Sequence, residues 1–207
     1  MSLKRQNSIL RFGICFLSGG FFCKRGKFLK KITLLNEESV SRSITRLCHE
    51  IIEQNNSLEN TVLIGIHNRG VPLSKRIQAK INELTGFNLQ CGSLDITFYR
   101  DDFRERLIVP VVKGTDISFT LNDKAVILID DVLYSGRTVR AALDELNSFG
   151  RASKVQLAVL IDRGHRELPI KADYVGKNVP THDGEHINVK LSETDKEDGV
   201  ILIREMD

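Results

Sequence analysis

Two adjacent carboxylates, Asp130 and Asp131, followed closely by Ser135, Gly136 and Thr138, are the residues of this 207-residue chain best suited to handling a phosphorylated sugar. The carboxylates can accept hydrogen bonds from neighbouring ribose hydroxyls or hold a hydrated Mg²⁺. The loop after them can aim backbone N–H groups, two hydroxyls and a helix N-terminus at a phosphate, and Gly136 lets the chain come close. A strand ending in Asp-Asp and a polar turn also occurs in many α/β proteins, so spacing alone leaves the bland reading open.

Two further stretches carry chemistry. His67-Asn68-Arg69-Gly70 follows an apolar run, and an Arg beside a Gly can bring charge and backbone N–H groups to an anion. An ordinary turn with a surface Arg is the competing reading. Asp162-Arg163-Gly164-His165-Arg166-Glu167 follows the run Lys154–Ile161 in the same way.

Elements must exist to position these residues. Val126 to Ile129 reads as a buried strand that the carboxylates end, and Val139, Ala142, Leu143, Leu146 and Phe149 as the buried face of a helix that stops at Gly150. Thr61–Ile66 is a second strand. Pro72 suits the first turn of the following helix, where Leu73, Ile77, Ile81 and Leu84 form the core face and Gly86 marks the end. Leu89–Tyr99 reads as a strand with one polar face, and Arg100–Lys124 as a flexible loop over the site. Upstream, Asn36 caps a helix with Glu37 and Glu38 in its first turn. Its apolar arc is Val40, Ile44, Leu47, Cys48, Ile51 and Ile52; Arg42, Thr45, Arg46, His49 and Glu53 face the other way. Strands alternating with helices predict an α/β, doubly wound, mostly parallel sheet, whose ligands sit beyond the carboxyl ends of the strands. All three candidate stretches then gather at one edge.

Composition bounds the rest. The formal charge of +3 is carried by residues 1–31, which hold eight Lys/Arg and no acid, leaving 22 basic against 27 acidic residues afterwards. Nucleic-acid binding therefore cannot be argued from overall charge and needs a local patch. Four cysteines without metal-ligand spacing fit a reduced, cytoplasmic setting. Residues 1–31 read as a basic extension outside the fold, too short and interrupted to span a membrane, and residues 32–207 as one domain.

The run Val126–Thr138 resembles the thirteen-residue PRPP motif of type I phosphoribosyltransferases, with Ser135 where that motif often has Thr. Residues 32–207 are similar to the PyrR family, regulatory RNA-binding proteins of pyrimidine operons that are also uracil phosphoribosyltransferases. Carrying this are Ile64–Gly70, Asp95–Asp102, the PRPP motif and, most specifically, Leu157–Pro169 followed by Ala172–Asn178.

The resemblance implies a type I phosphoribosyltransferase fold with a small hood, and transfer of ribose 5-phosphate from PRPP to uracil with Mg²⁺, giving UMP and pyrophosphate. Asp130, Asp131, Arg69 and Arg100 would be the catalytic residues, the two aspartates reaching metal only through ribose or water. His67, Asn68, Gly70, Leu133, Tyr134, Ser135, Gly136, Arg137, Thr138, Ile161, Asp162 and Arg163 would bind PRPP and UMP, with no general base assigned. Thr45, Arg46, His49, Arg166, Lys171 and Lys177 would hold the leader mRNA of the pyrimidine operon. Lys171 stands where relatives can have Arg, which keeps charge but loses the guanidinium fork. A cytoplasmic homodimer or higher homo-oligomer, without membrane contact, is the implied setting. A salvage enzyme without RNA binding, and a regulator with a vestigial active site, remain alternatives.

Overall fold

The computed structural model describes residues 21–24, 27–55, 58–96 and 114–206. Two sheets organise them. The larger contains β3 (Thr61–Ile66), β4 (Gln90–Leu94), β5 (Ala125–Leu133), β6 (Lys154–Asp162) and β7 (Tyr174–Asn178), all parallel in the order β4-β3-β5-β6-β7. The smaller contains β1 (Phe21–Lys24), β2 (Lys27–Leu35), β8 (Glu185–Lys190) and β9 (Gly199–Met206), antiparallel in the order β1-β2-β9-β8. The first is the parallel sheet expected from the resemblance, and the second stands where the hood is expected.

Helices cover both faces of the larger sheet, so its central strands are apolar on both sides. Every residue of β3 is buried. Along it the side chains alternate: Leu63 joins Ile127 and Ile129 beneath α1 (Glu37–Gln54) and α2 (Gly70–Thr85). Val62, Ile64 and Ile66 join Val126 and Leu128 beneath α3 (Arg137–Leu146). A strand's period of two thus feeds two separate cores.

Helix α1 forms as its sequence dictates. The Asn36 carboxamide accepts from the Ser39 N–H at 3.0 Å, a cap that contributes about 1 kcal/mol. Val40, Ile44, Leu47, Cys48 and Ile51 are buried, while Ile52 is only partly so. Helix α2 ends at Gly86 in the left-handed region, φ 73°.

Several expectations change. The boundary expected at residue 31 falls inside β2, which runs unbroken from Lys27 and pairs Lys30 with Arg204 and Lys31 with Ile203. An antiparallel strand away from the main core can carry exposed lysines such as Lys30 and Lys31, so its basic composition did not distinguish it from an extension. Leu84 and Leu143, expected in the core, are exposed at the ends of their apolar arcs. Strand β4 stops at Leu94, short of Tyr99. Arg100 and most of the loop expected over the site lie outside the described residues. No helix among the described residues is long and apolar enough to cross a membrane.

Candidate active site

Asp130 and Asp131 lie inside β5, which continues to Leu133 rather than ending at the carboxylates. Asp130 Oδ1 accepts from the Asp131 N–H, and Asp131 Oδ1 from the Val132 N–H, both at 2.9 Å. Burial pushes the Asp131 carboxyl above its ordinary range; a hydrogen bond shared with Asp130 and the charge of Arg69 oppose that rise. A buried acidic pair of this kind favours hydroxyl donors or a cation brought to it. Among the described residues, no three His, Cys, Asp or Glu side chains converge on one point. Two adjacent carboxylates are hard oxygen ligands, of the kind that can hold a cation keeping most of its own water, as Mg²⁺ does.

Arg69 is placed beside this pair by two glycines. A Cβ on Gly70 would lie 2.3 Å from the Ile129 carbonyl oxygen, and one on Gly65 would lie 2.6 Å from the Gly70 oxygen. Only bare backbone lets the start of α2 rest on the strand that carries the carboxylates. The peptide between His67 and Asn68 is cis, and His67 Nε2 is buried without a hydrogen-bond partner among the described residues. The Arg69 guanidinium donates to Asp195 through Nε at 3.2 Å and Nη2 at 3.0 Å. Asp195 lies on α4 (Ser192–Asp195), between the two last strands of the hood. Sequence reasoning missed it, for its partner is 126 residues away.

The loop from Leu133 to Gly136 leads into α3. Gly136 has φ 92°, and no side chain caps the helix. No side chain caps α2 either, in contrast to α1. Helix α2 thus starts without a side-chain oxygen that would compete with an anion, and at α3 only Ser135 Oγ approaches, accepting from the Arg137 N–H at a long 3.4 Å. Arg137 turns away to Glu167, Nε to Oε2 2.7 Å.

Arg166, expected on the RNA face, is half-buried, and its guanidinium braces this loop. It donates to the carbonyls of Tyr134 at 2.7 Å, Ile170 at 3.0 Å and Gly164 at 3.1 Å, and to Asp162 Oδ2 at 2.5 Å. Every guanidinium nitrogen is engaged, so Arg166 locks the loop against the end of β6. The Arg163 side chain is likewise internal: Nε donates to Thr181 Oγ1 at 3.1 Å and an Nη to the Glu185 carbonyl at 2.8 Å. Its guanidinium carbon lies 4.1 Å from the ring centroid of the exposed Tyr134. What Asp162 and Arg163 can offer a nucleobase is chiefly main chain. The Asp162 carbonyl accepts from the Val179 N–H and keeps a second lone pair, whereas the Arg163 carbonyl accepts from both the N–H and the Oγ1 of Thr181.

The expected RNA residues on α1 lie elsewhere. Thr45 is half-buried and His49 exposed on the polar face. Arg46 donates to the carbonyls of Val175, at 3.1 Å, and Gly176, stitching α1 to β7. With Arg42, Lys177, Ser39 and Ser43 it lines a groove of about 490 Å³. Lys171 is exposed on the connection before β7.

Comparison with known proteins gives this arrangement a class. Residues 33–194 match the family described as Phosphoribosyl transferase domain. Among solved structures, hypoxanthine phosphoribosyltransferase of Trypanosoma cruzi superposes with TM-score 0.64 at 15% identity, over 84% of this chain and 97% of that one. The Staphylococcus aureus hypoxanthine phosphoribosyltransferase gives TM-score 0.62 at 20% identity, over 85% and 91%. At that identity the likeness concerns the fold alone. Curated sequences narrow it: Bifunctional protein PyrR of Clostridioides difficile is 55% identical over 174 residues, 84% of this chain and 98% of the relative. That of Deinococcus deserti is 56% identical over 172 residues, 83% and 94%. The chain belongs to the PyrR family.

Proposed function

We propose that this chain is a UMP-dependent RNA-binding regulator of pyrimidine-operon expression that acts by transcription attenuation and also converts uracil and PRPP to UMP and pyrophosphate. The observation that carries the enzymatic half is the meeting of Arg69, the Asp130–Asp131 pair and the uncapped start of α3 at one sheet edge.

In this reading the N1–C1′ bond to uracil forms as the C1′–oxygen bond to pyrophosphate breaks, through an oxocarbenium-like centre, and the N1 proton passes to the departing pyrophosphate or to water. Asp130 and Asp131 receive the ribose hydroxyls and oppose the developing positive charge. Ser135, Gly136, Arg137 and Thr138 surround the 5′-phosphate with backbone N–H groups and hydroxyls, Leu133 and Tyr134 shaping the approach. Arg69, with His67, Asn68 and Gly70, receives the pyrophosphate. Mg²⁺, held indirectly by the two aspartates, would neutralise pyrophosphate charge. Main chain from Ile161 to Arg163 faces the base. Arg100, which lies outside the described residues, would complete the catalytic set.

The regulatory half rests on the cationic groove between α1 and β7, a local patch on a chain whose core is acidic. Thr45, Arg46, His49, Arg166, Lys171 and Lys177 would meet splayed bases and backbone of a leader stem-loop. A cytoplasmic homodimer or higher homo-oligomer completes the proposal. Titration of the leader stem-loop with the full chain, with and without UMP and at rising salt, tests it. Expected is binding that UMP strengthens and His49→Ala weakens about tenfold or more. Binding that is indifferent to UMP and vanishes with salt would leave a salvage enzyme.

A further inference from the structure

Building on the phosphoribosyl-transfer reading, we propose that Asp195 of the hood is a positioning residue for the pyrophosphate end of PRPP, acting by holding the Arg69 guanidinium side-on. Its carboxylate is fixed before it meets Arg69: Oδ2 accepts from the Leu191 N–H at 3.1 Å and from Thr194 Oγ1 at 2.7 Å. The Nε and Nη2 atoms of Arg69 then bind its two oxygens. A guanidinium has two edges that can each grip an anion, and this pairing occupies the Nε edge while leaving Nη1 for a second one.

The second anion is the reason the pairing matters. Arg69 is close enough to Asp131 for its charge to pull that carboxyl's proton affinity down. Without Asp195 the guanidinium is free to turn onto Asp131, neutralising the carboxylate that the ribose hydroxyls require. Asp195 therefore keeps one cation between two acidic demands, available to pyrophosphate and withheld from the ribose site. A docking role alone does not account for it. Arg76, two turns further along α2, already fastens α4 with bonds of 2.6 to 2.8 Å to Glu193, Asp198 and Ser192.

The test compares Asp195→Asn, Asp195→Glu and Asp198→Asn in the full chain. Initial rates against PRPP and against uracil are read alongside calorimetric titration with pyrophosphate and Mg²⁺. Asp195→Asn is expected to raise the KM for PRPP and the Kd for pyrophosphate about tenfold, with the KM for uracil changed less than about twofold. Asp195→Glu should recover part of the loss, and Asp198→Asn should lower the melting temperature without selective loss of PRPP. Unchanged pyrophosphate and PRPP affinity in Asp195→Asn overturns the inference. Equal losses in Asp195→Asn and Asp198→Asn overturn it too, reducing Asp195 to a latch. Absence of UMP formation by the unsubstituted chain overturns the underlying reading, and the pyrophosphate titration then still decides what Asp195 does for an anion at Arg69.

Discussion

Arg69 and Arg76 lie two turns apart at and near the start of α2, and both reach the short α4 of the hood, yet they are built for different work. Arg76 meets two carboxylates and a hydroxyl and is raised well above the ordinary arginine range by hydrogen bonds to Asp198 and Glu193. Arg69 meets one carboxylate, is more exposed, and sits beside the Asp130–Asp131 pair. One cation is satisfied inside the protein; the other keeps an edge for a ligand. A saturated ion-pair cluster fixes geometry, whereas an under-committed cation can exchange partners during turnover.

The strongest way to break the contrast is to remove the platform on which the Arg69 end rests. Gly70→Ala puts a Cβ 2.3 Å from the Ile129 oxygen, so loss of cooperative folding or of all PRPP-dependent turnover is expected in thermal melts and uracil assays. Gly86→Ala, at the other end of α2, meets open space and should cost only about 1 kcal/mol for its left-handed backbone. Arg69→Gln should next lower kcat/KM for PRPP by about 10²-fold or more, with a smaller fall in melting temperature than Arg76→Gln. Arg76→Gln should do the reverse. Leaving Asp198 partly buried without its partner costs about 2 kcal/mol, or about 4–8 °C of melting temperature, with kcat/KM changed less than about threefold.

The smallest effect is on pH dependence. Hydrogen bonds from Arg69 and Arg76 hold Asp195, Asp198 and Glu193 below the usual carboxylate range. Groups whose folded pKa is depressed stabilise the fold above their unfolded pKa of about 4, and that contribution is lost as pH falls through the folded values. Melting temperature should therefore drop as pH is lowered below about 4. The acid slope should be shallower in Arg76→Gln, where the shifts of Asp198 and Glu193 disappear. An equal slope in both proteins would show that the Arg76 cluster is not the source.

Legibility followed the range of the interaction. The α1 cap, the apolar arcs, β3 and the acidic pair after Ile129 depend on residues a few positions apart, and their periodicity displays them. Leu84 and Leu143 show the limit: spacing places a residue on an arc, but only packing decides how far the arc is covered. Arg166 reads as a surface cation because, Asp162 apart, its partners are carbonyl oxygens, which leave no trace in residue type. Asp195 and Arg76 were invisible for a related reason, since charges scattered along α2 and the hood acquire partners only when the two sheets meet.

By itself, then, the sequence determined the parallel α/β core, the phosphate-sugar chemistry at the ends of its strands and the family resemblance, because local periodicity and contiguous motifs encode them. Tertiary structure alone decided that Lys27–Leu35 belongs to the hood, that the Arg163 guanidinium is spent on Thr181 and Glu185, and that Arg69 meets Asp195. Those outcomes turn on pairings between groups far apart in the chain, and a side chain's partner is set by where the backbone has already been carried.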